Sequence, residues 1–160
     1  MAEVLPAEAR FLVVDDDPDD RFLLTRALTE AGALLANITE ANSGEAALRA
    51  LQDAEFDAVL TDQRMPGLGG VELLAKLRDS QRRTLRILVT GHNDLRVAVE
   101  AVNIGKAHAY VPKSSDLRAL MPLLAALLRA QSAEAQRDAA FARALGSLRA
   151  RLDRGRSGTN

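Results

Sequence analysis

From Phe11 onward, short and mainly apolar runs alternate with longer stretches in which apolar residues return every third or fourth position. The runs Phe11 to Val14, Leu34 to Ile38, Ala58 to Leu60, Leu85 to Val89 and Ala107 to Val111 predict strands, of which Phe11 to Val14 reads as buried and Ala58 to Leu60, too short for a helix, as buried on both faces. The spaced sets between them predict helices: Leu24, Ala27, Leu28 and Ala31; Ala46, Ala47, Ala50 and Leu51; Val71, Leu74 and Ala75; Leu95, Ala98, Val99 and Val102. Start and stop residues agree. Asp17 and Pro18 open the first helix, since proline lacks only a donor that the first turn leaves unused and the acid before it can cap. Asp19 and Asp20 then complement the positive helix end, and Gly32 closes the element. Ser43 can cap the second helix, the pair Gly69 and Gly70 opens the third, and Gly105 closes the fourth. A fifth helix is predicted from near Ser115 or Asp116; Pro122 kinks it if it starts at Asp116 but lies harmlessly in the first turn if it starts near Met121. Strand and helix alternate five times, which predicts an α/β fold with a doubly wound five-stranded parallel sheet and a carboxyl-terminal helical extension.

The extension has its own pattern. Phe141, Leu145, Leu148 and Leu152 step by four, three and four. The same register runs back through Asp138, Glu134 and Gln131 to Leu127, Leu124, Leu120 and Leu117, so one helix can keep a single face with a polar interruption. Two helices with a break near Ser132 are the alternative. The expected division is residues 1–9 as an amino-terminal tail, 10–130 as the domain, 131–154 as a helical extension that forms a coiled coil or docks on a partner, and 155–160 as a disordered tail.

Composition narrows the classes. Lys and Arg total 21 against 22 Asp and Glu, a net charge of -1, so no global field favours nucleic acid or an anionic membrane. The absence of Cys removes disulfides and thiolate metal sites and suits a reducing compartment. The amino-terminal stretch MAEVLPAEARF carries no basic run followed by an apolar core, and Ala119 to Leu128 is far shorter than a membrane span. With scarce aromatics and no Trp there is little platform for stacking bases. The expectation is a cytoplasmic protein that contacts neither nucleic acid nor membrane.

The chemistry collects at strand ends. Asp15 and Asp16, Asp62, Thr90 and Lys113 each stand at or just past the end of an apolar run. Alone, Asp62 reads equally as a turn or cap residue. In a flavodoxin-like sheet of order 2-1-3-4-5, however, the first and third strands meet at the switch point, and Asp15, Asp16 and Asp62 converge there. Carboxylates that close take up protons unless a cation sits among them, and a few hard oxygen ligands with room for water describe Mg²⁺ better than Ca²⁺ or Zn²⁺. Lys113 offers a point charge and Thr90 a hydroxyl, as a phosphoryl group would need.

FLVVDDDP, VLTDQRMPG, ILVTG and AYVPK, in that order and at these separations, make the chain from Arg10 to Ala130 resemble the receiver domain of two-component response regulators. The resemblance implies that Asp62 is the phosphoacceptor, taking its phosphoryl group from a phosphohistidine in a sensor histidine kinase or a phosphotransfer protein. It implies Mg²⁺ held by Asp16, Asp62 and the main-chain carbonyl of Arg64, with Asp15 acting through coordinated water. Lys113 would pair with the acceptor, Thr90 would move to bond a phosphoryl oxygen, and Tyr110 matches the switch aromatic. Arg64 and His92 flank the acid and the threonine and are candidate modulators of hydrolysis; His108 reads as an ordinary strand residue. Two positions depart from the family pattern. Ser114 replaces the proline that usually follows the lysine through a cis bond, and Gly69 stands where the family commonly has Asp.

The fourth helix carries a second apolar set, Val97, Ala101 and Ile104, beside a narrow polar strip of Arg96, Glu100 and Asn103. This predicts a partner face formed with the fifth strand and fifth helix, where receivers commonly dimerise or meet their targets. The output expected is a contact with a downstream protein or a second copy, aided by the terminal helix. Two other readings compete: a haloacid-dehalogenase-type Mg²⁺-dependent phosphohydrolase with Asp15 as nucleophile, and a receiver-like scaffold that acts without phosphorylation.

Overall fold

The computed structural model describes residues 4–81, 83–91, 95–113 and 116–156, with backbone alone at 152, 153, 155 and 156. Strands β1 (Phe11–Val14), β2 (Ile38–Ala41), β3 (Ala58–Thr61), β4 (Leu85–Thr90) and β5 (Ala109–Pro112) alternate with helices α1 (Pro18–Glu30), α2 (Gly44–Asp53), α3 (Gly70–Ser80), α4 (Leu95–Asn103) and α5 (Leu117–Arg156). All pairings are parallel and the order is β2-β1-β3-β4-β5. Successive strand residues point to opposite faces, and both faces are covered. Phe11, Val13, Leu60, Ile87 and Val89 pack with Leu24 and Leu28 of α1 and Leu120, Leu124 and Leu128 of α5. Leu12, Val14, Val59 and Leu88 pack with α2, α3 and α4 through Leu51, Leu74, Leu77 and Ala101. The apolar character of β1 and of most of β3 and β4 follows from that double coverage.

The predicted caps form. Asp17 accepts from the Asp19 N–H with Pro18 in the first turn, and Ser43 accepts from Ala46. Asp116 caps α5 by accepting from the Arg118 N–H at 3.0 Å. Pro122 therefore lies inside the helix rather than in its first turn; it is exposed, so the backbone acceptor it leaves unpaired faces water.

Four expectations need correction. The second strand starts at Ile38, not Leu34, because β1 offers partners only from Phe11 onward and Phe11 pairs with Ile38; Leu35–Asn37 forms a 3-10 turn instead. The fifth strand starts at Ala109, since Ala107 is occupied in closing α4 by donating to the Ala101 carbonyl. The stretch taken as an amino-terminal tail is in part core: Leu5 and Ala9 are buried, and the Leu5 N–H donates to the Ala31 carbonyl at 2.7 Å. Gly32 permits this close approach, with φ +108° and Val4 lying where a Cβ would project.

The fourth correction reverses the faces of α4. Ala101 is fully buried and Val97 half-buried, so these are core positions rather than a partner face, whereas Leu95, Val99 and Val102, predicted to be core, are exposed; Ile104 is exposed as expected. Size decided the orientation. Ala101 and Gly105 let the helix end approach Leu74 of α3, where a Cβ on Gly105 would already lie 3.2 Å from Leu74 Cβ.

The chain divides into two units between Leu128 and Arg129. In the second, α5 is helical straight through Ser132, without the alternative break, and runs through Arg156, two residues into the segment expected to be disordered; 157–160 lie outside the described residues. From Arg129 on, every described side chain is exposed except the half-buried Gln131 and Ala135. Among the described residues no helix is long and apolar enough to cross a membrane.

Candidate functional site

The ladder extends past the strands and locks the backbone of the site. The Asp15 N–H donates to the Ala41 carbonyl at 3.1 Å, Asp62 to Val14 at 2.9 Å and Lys113 to Thr90 at 2.8 Å. Each candidate residue is thus held one step beyond its strand by the neighbouring strand, at the carboxyl edge where doubly wound sheets bind ligands. The side chains of Asp15, Asp16 and Asp62 converge there, with one oxygen from each lying within 4.8 Å of the others. Asp15 and Asp62 are buried and Asp16 is exposed, which leaves the cluster open on one side.

Lys113 enters this cluster. Its Nζ lies 2.6 Å from Asp15 Oδ2, 2.6 Å from Asp20 Oδ2 and 3.6 Å from Asp62 Oδ1. Burial alone would lower its pKa, but hydrogen bonds to Asp15 and Asp20 and the charge of Asp62 outweigh it and hold the ammonium above its ordinary value. Asp15 is pushed up, chiefly by burial, against the opposing pull of Lys113 and of the Asp17 N–H, which donates to its Oδ1 at 3.0 Å.

The loop after β3 is shaped by small residues and one amide. A Cβ on Gly70 would overlap the Asp62 carbonyl, so only glycine lets the start of α3 pass so close to the acid. Gly69, the N-cap residue, supplies no side chain; Gln63 supplies the cap instead, accepting from the Val71 N–H through Oε1 at 2.8 Å. The loop then exposes the Arg64 side chain and buries Met65. Thr90 is fully buried, and half-buried Tyr110, opposite Leu88 in the sheet register, packs on the same side as α3 and α4. His92 and Ser114, and with Ser114 the geometry of the bond after Lys113, lie outside the described residues. His108 was expected within the fifth strand but immediately precedes it, at the far end of the sheet, where its Nδ1 accepts from the Arg86 N–H at 3.0 Å.

Asp20 was not legible as a site residue. Its place in the first turn after Pro18 reads as a helix-dipole complement, and only the folded chain brings it to Lys113. The donor set as a whole is all oxygen and strongly acidic, and two of its carboxylates are buried, a chemistry that fits a small hard cation.

A doubly wound parallel sheet thus brings acids from beyond β1 and β3 and a lysine from beyond β5 to one edge. A family model, the response regulator receiver domain, matches residues 11–125, and the chain belongs to that family. It is 40% identical over 105 residues to the DNA-binding transcriptional regulator NtrC of Klebsiella pneumoniae, covering 66% of this chain and 22% of that protein. It is 32% identical over 129 residues to the transcriptional regulatory protein FixJ of Bradyrhizobium diazoefficiens, covering 81% of this chain and 62% of that one. Among solved structures, the response regulator TrrA of Thermotoga maritima in complex with Mg²⁺ and beryllofluoride aligns with TM-score 0.66 and 33% identity, over 74% of this chain and 98% of that chain. A CheY-like receiver from Methanospirillum hungatei aligns with TM-score 0.72 and 28% identity, over 79% and 98%.

Proposed function

We propose that Asp62 accepts a phosphoryl group from a phosphohistidine in a sensor kinase or phosphotransfer protein. In that step an Asp62 oxygen bonds to phosphorus, the phosphorus–nitrogen bond breaks, and the imidazole leaves with the electron pair. The observation that carries the reading is the convergence of Asp62 with Asp15, Asp16 and Lys113 at one sheet edge. Asp16, Asp62 and the Arg64 carbonyl would hold Mg²⁺, with Asp15 reached through water. Bound there, the cation would offset negative charge on the phosphoryl oxygens. Lys113, 3.6 Å from the acceptor before transfer, then meets the phosphoryl group. Thr90 bonds one of its oxygens, and Tyr110 follows Thr90 as the switch aromatic; a dianion in this pocket is enough to bias a two-state surface.

Output is a protein contact, with a downstream target or a second copy. The face that serves it is Leu95, Val99 and Val102 of α4 and Ile104 just past its end, together with β5 and α5, without the buried Ala101 and half-buried Val97. Phe141, Leu145 and Leu148 of the terminal helix offer a second apolar stripe at coiled-coil spacing. The relatives named as transcriptional regulators are longer than this chain, and DNA binding is a property of those proteins. With the family shown, the dehalogenase reading has nothing further to support it, for it leaves Asp62 without a role.

Incubation with a small phosphodonor and Mg²⁺ tests the acceptor. One hydroxylamine-labile phosphoryl group per chain, mapped to Asp62 and lost in Asp62→Asn, is expected; continuous phosphate release with no labelled Asp62 would overturn the proposal.

A further inference from the structure

Asp20 belongs to no role given so far. Its carboxylate is one-third exposed and makes a single described side-chain contact, the 2.6 Å bond to Lys113 Nζ. It stands outside the group of acids whose oxygens converge on one point. A complement to the helix dipole would need no such contact, because that interaction is diffuse and is felt anywhere in the first turn. The position of the ammonium is specific. Of its three donors, one goes to Asp15 and one to Asp20, while Asp62 is left at 3.6 Å, beyond hydrogen-bond distance.

We infer that Asp20 is a positioning residue which draws Lys113 to the α1 side and away from Asp62 until a phosphoryl group competes for it. The inference rests on the reading of Asp62 as acceptor. Two consequences follow from where the positive charge sits. With Lys113 held back, the Asp15, Asp16 and Asp62 cluster keeps more of its negative potential for a divalent cation. With Asp20 neutralised, Lys113 relaxes toward Asp62, which repels the cation but favours an anion bound on that acid. The two affinities therefore move in opposite directions, a pattern that general loss of folding does not produce.

The test is calorimetric titration of the full chain, first with MgCl₂ alone and then with beryllofluoride at saturating Mg²⁺. Asp20→Asn should bind Mg²⁺ about fivefold more weakly and beryllofluoride about fivefold more tightly than wild type, the scale of one moderate ion pair. Asp20→Glu, which restores the charge, should return both affinities toward wild type. Thermal unfolding of each variant in the same buffer checks that it is folded. Unchanged Mg²⁺ affinity in Asp20→Asn, or beryllofluoride binding that is equal or weaker, overturns the inference while leaving the acceptor in place. A wild-type protein that binds no beryllofluoride takes down the acceptor reading and this inference with it.

Discussion

Lys113 shows how one charge can serve both stability and chemistry. Its ammonium lies against the carboxylates of both buried acids, whereas Arg21 bonds the Asp15 main-chain carbonyl, so replacing Lys113 leaves the two carboxylates repelling each other with little solvent to screen them. Lys113→Met is expected to lose about 1–2 kcal/mol of stability in chelator, less than a fully buried pair because the side chain keeps some exposure. Added Mg²⁺ should raise its unfolding midpoint more than it raises that of wild type, since the metal replaces the missing charge. An equal rise in both proteins, measured by thermal denaturation at matched Mg²⁺, would contradict this. His108 gives a second residue-scale prediction. Although the ring keeps an exposed edge, desolvation on its inner side, then the charge of Arg86, pushes its pKa below the ordinary 6.5, and its Nδ1 must stay unprotonated to accept from the Arg86 N–H. As pH falls below 6.5 the unfolded chain takes the proton first, so stability declines through that window until the folded histidine titrates. His108→Asn, whose amide oxygen can accept the same bond, should show a flatter dependence between pH 7 and about pH 5. Urea titrations of both proteins across the window measure the difference.

At the scale of elements, the start of α3 separates what a sequence states from what it hides. Gly69 looks like a weakened helix start, yet Gln63, eight residues before Val71 of the first turn, provides the missing acceptor from across the loop. Gln63→Ala should cost about 1 kcal/mol, the usual worth of a cap, and loosen the segment beside Asp62. Adding Gly69→Asp should recover part of it, because the N-cap backbone, at φ -78° and ψ 165°, suits an aspartate while its Cβ would crowd the Gln63 carbonyl at 3.3 Å. Chemical denaturation of the single and double variants decides, and no recovery in the double would mean that Gln63 acts through something other than the cap. The same contrast runs through the fold. Asp17 with Pro18 and Ser43 were readable because capping is local, and Asp15, Asp62, Thr90 and Lys113 because each ends an apolar strand. β2 was misplaced because it is an edge strand with polar Thr39 and Glu40, and Glu40 is taken up by Thr25 and Arg21 of α1 rather than by a core. The faces of α4 were exchanged because both are apolar, and only the close fit of Ala101 and Gly105 against α3 distinguishes them. Asp20 and Gln63 were missed because their partners are distant in sequence or lie across a loop, where periodicity carries no information.

At the scale of the molecule, the two units differ in what supports them. β1, β3 and β4 are buried on both faces and bonded to neighbours, whereas the helix from Arg129 to Arg156 has almost no described buried side chain. Helices without a packed face are only marginally stable in water, and Gly146 lowers this one further. In dilute protein without phosphodonor, amides from 132 to 150 should therefore exchange with solvent orders of magnitude faster than those of β1 and β3. If phosphorylation drives pairing through Phe141, Leu145 and Leu148, beryllofluoride with Mg²⁺ should slow exchange in that segment, and raising the protein concentration should slow it further. Replacing Phe141 and Leu145 by Ser should abolish both effects while leaving β1 and β3 protected, because neither residue is buried in the sheet domain. Slowing that occurs with beryllofluoride but not with concentration would assign the stripe to an intramolecular role, and no slowing under either condition would remove the terminal helix from the output.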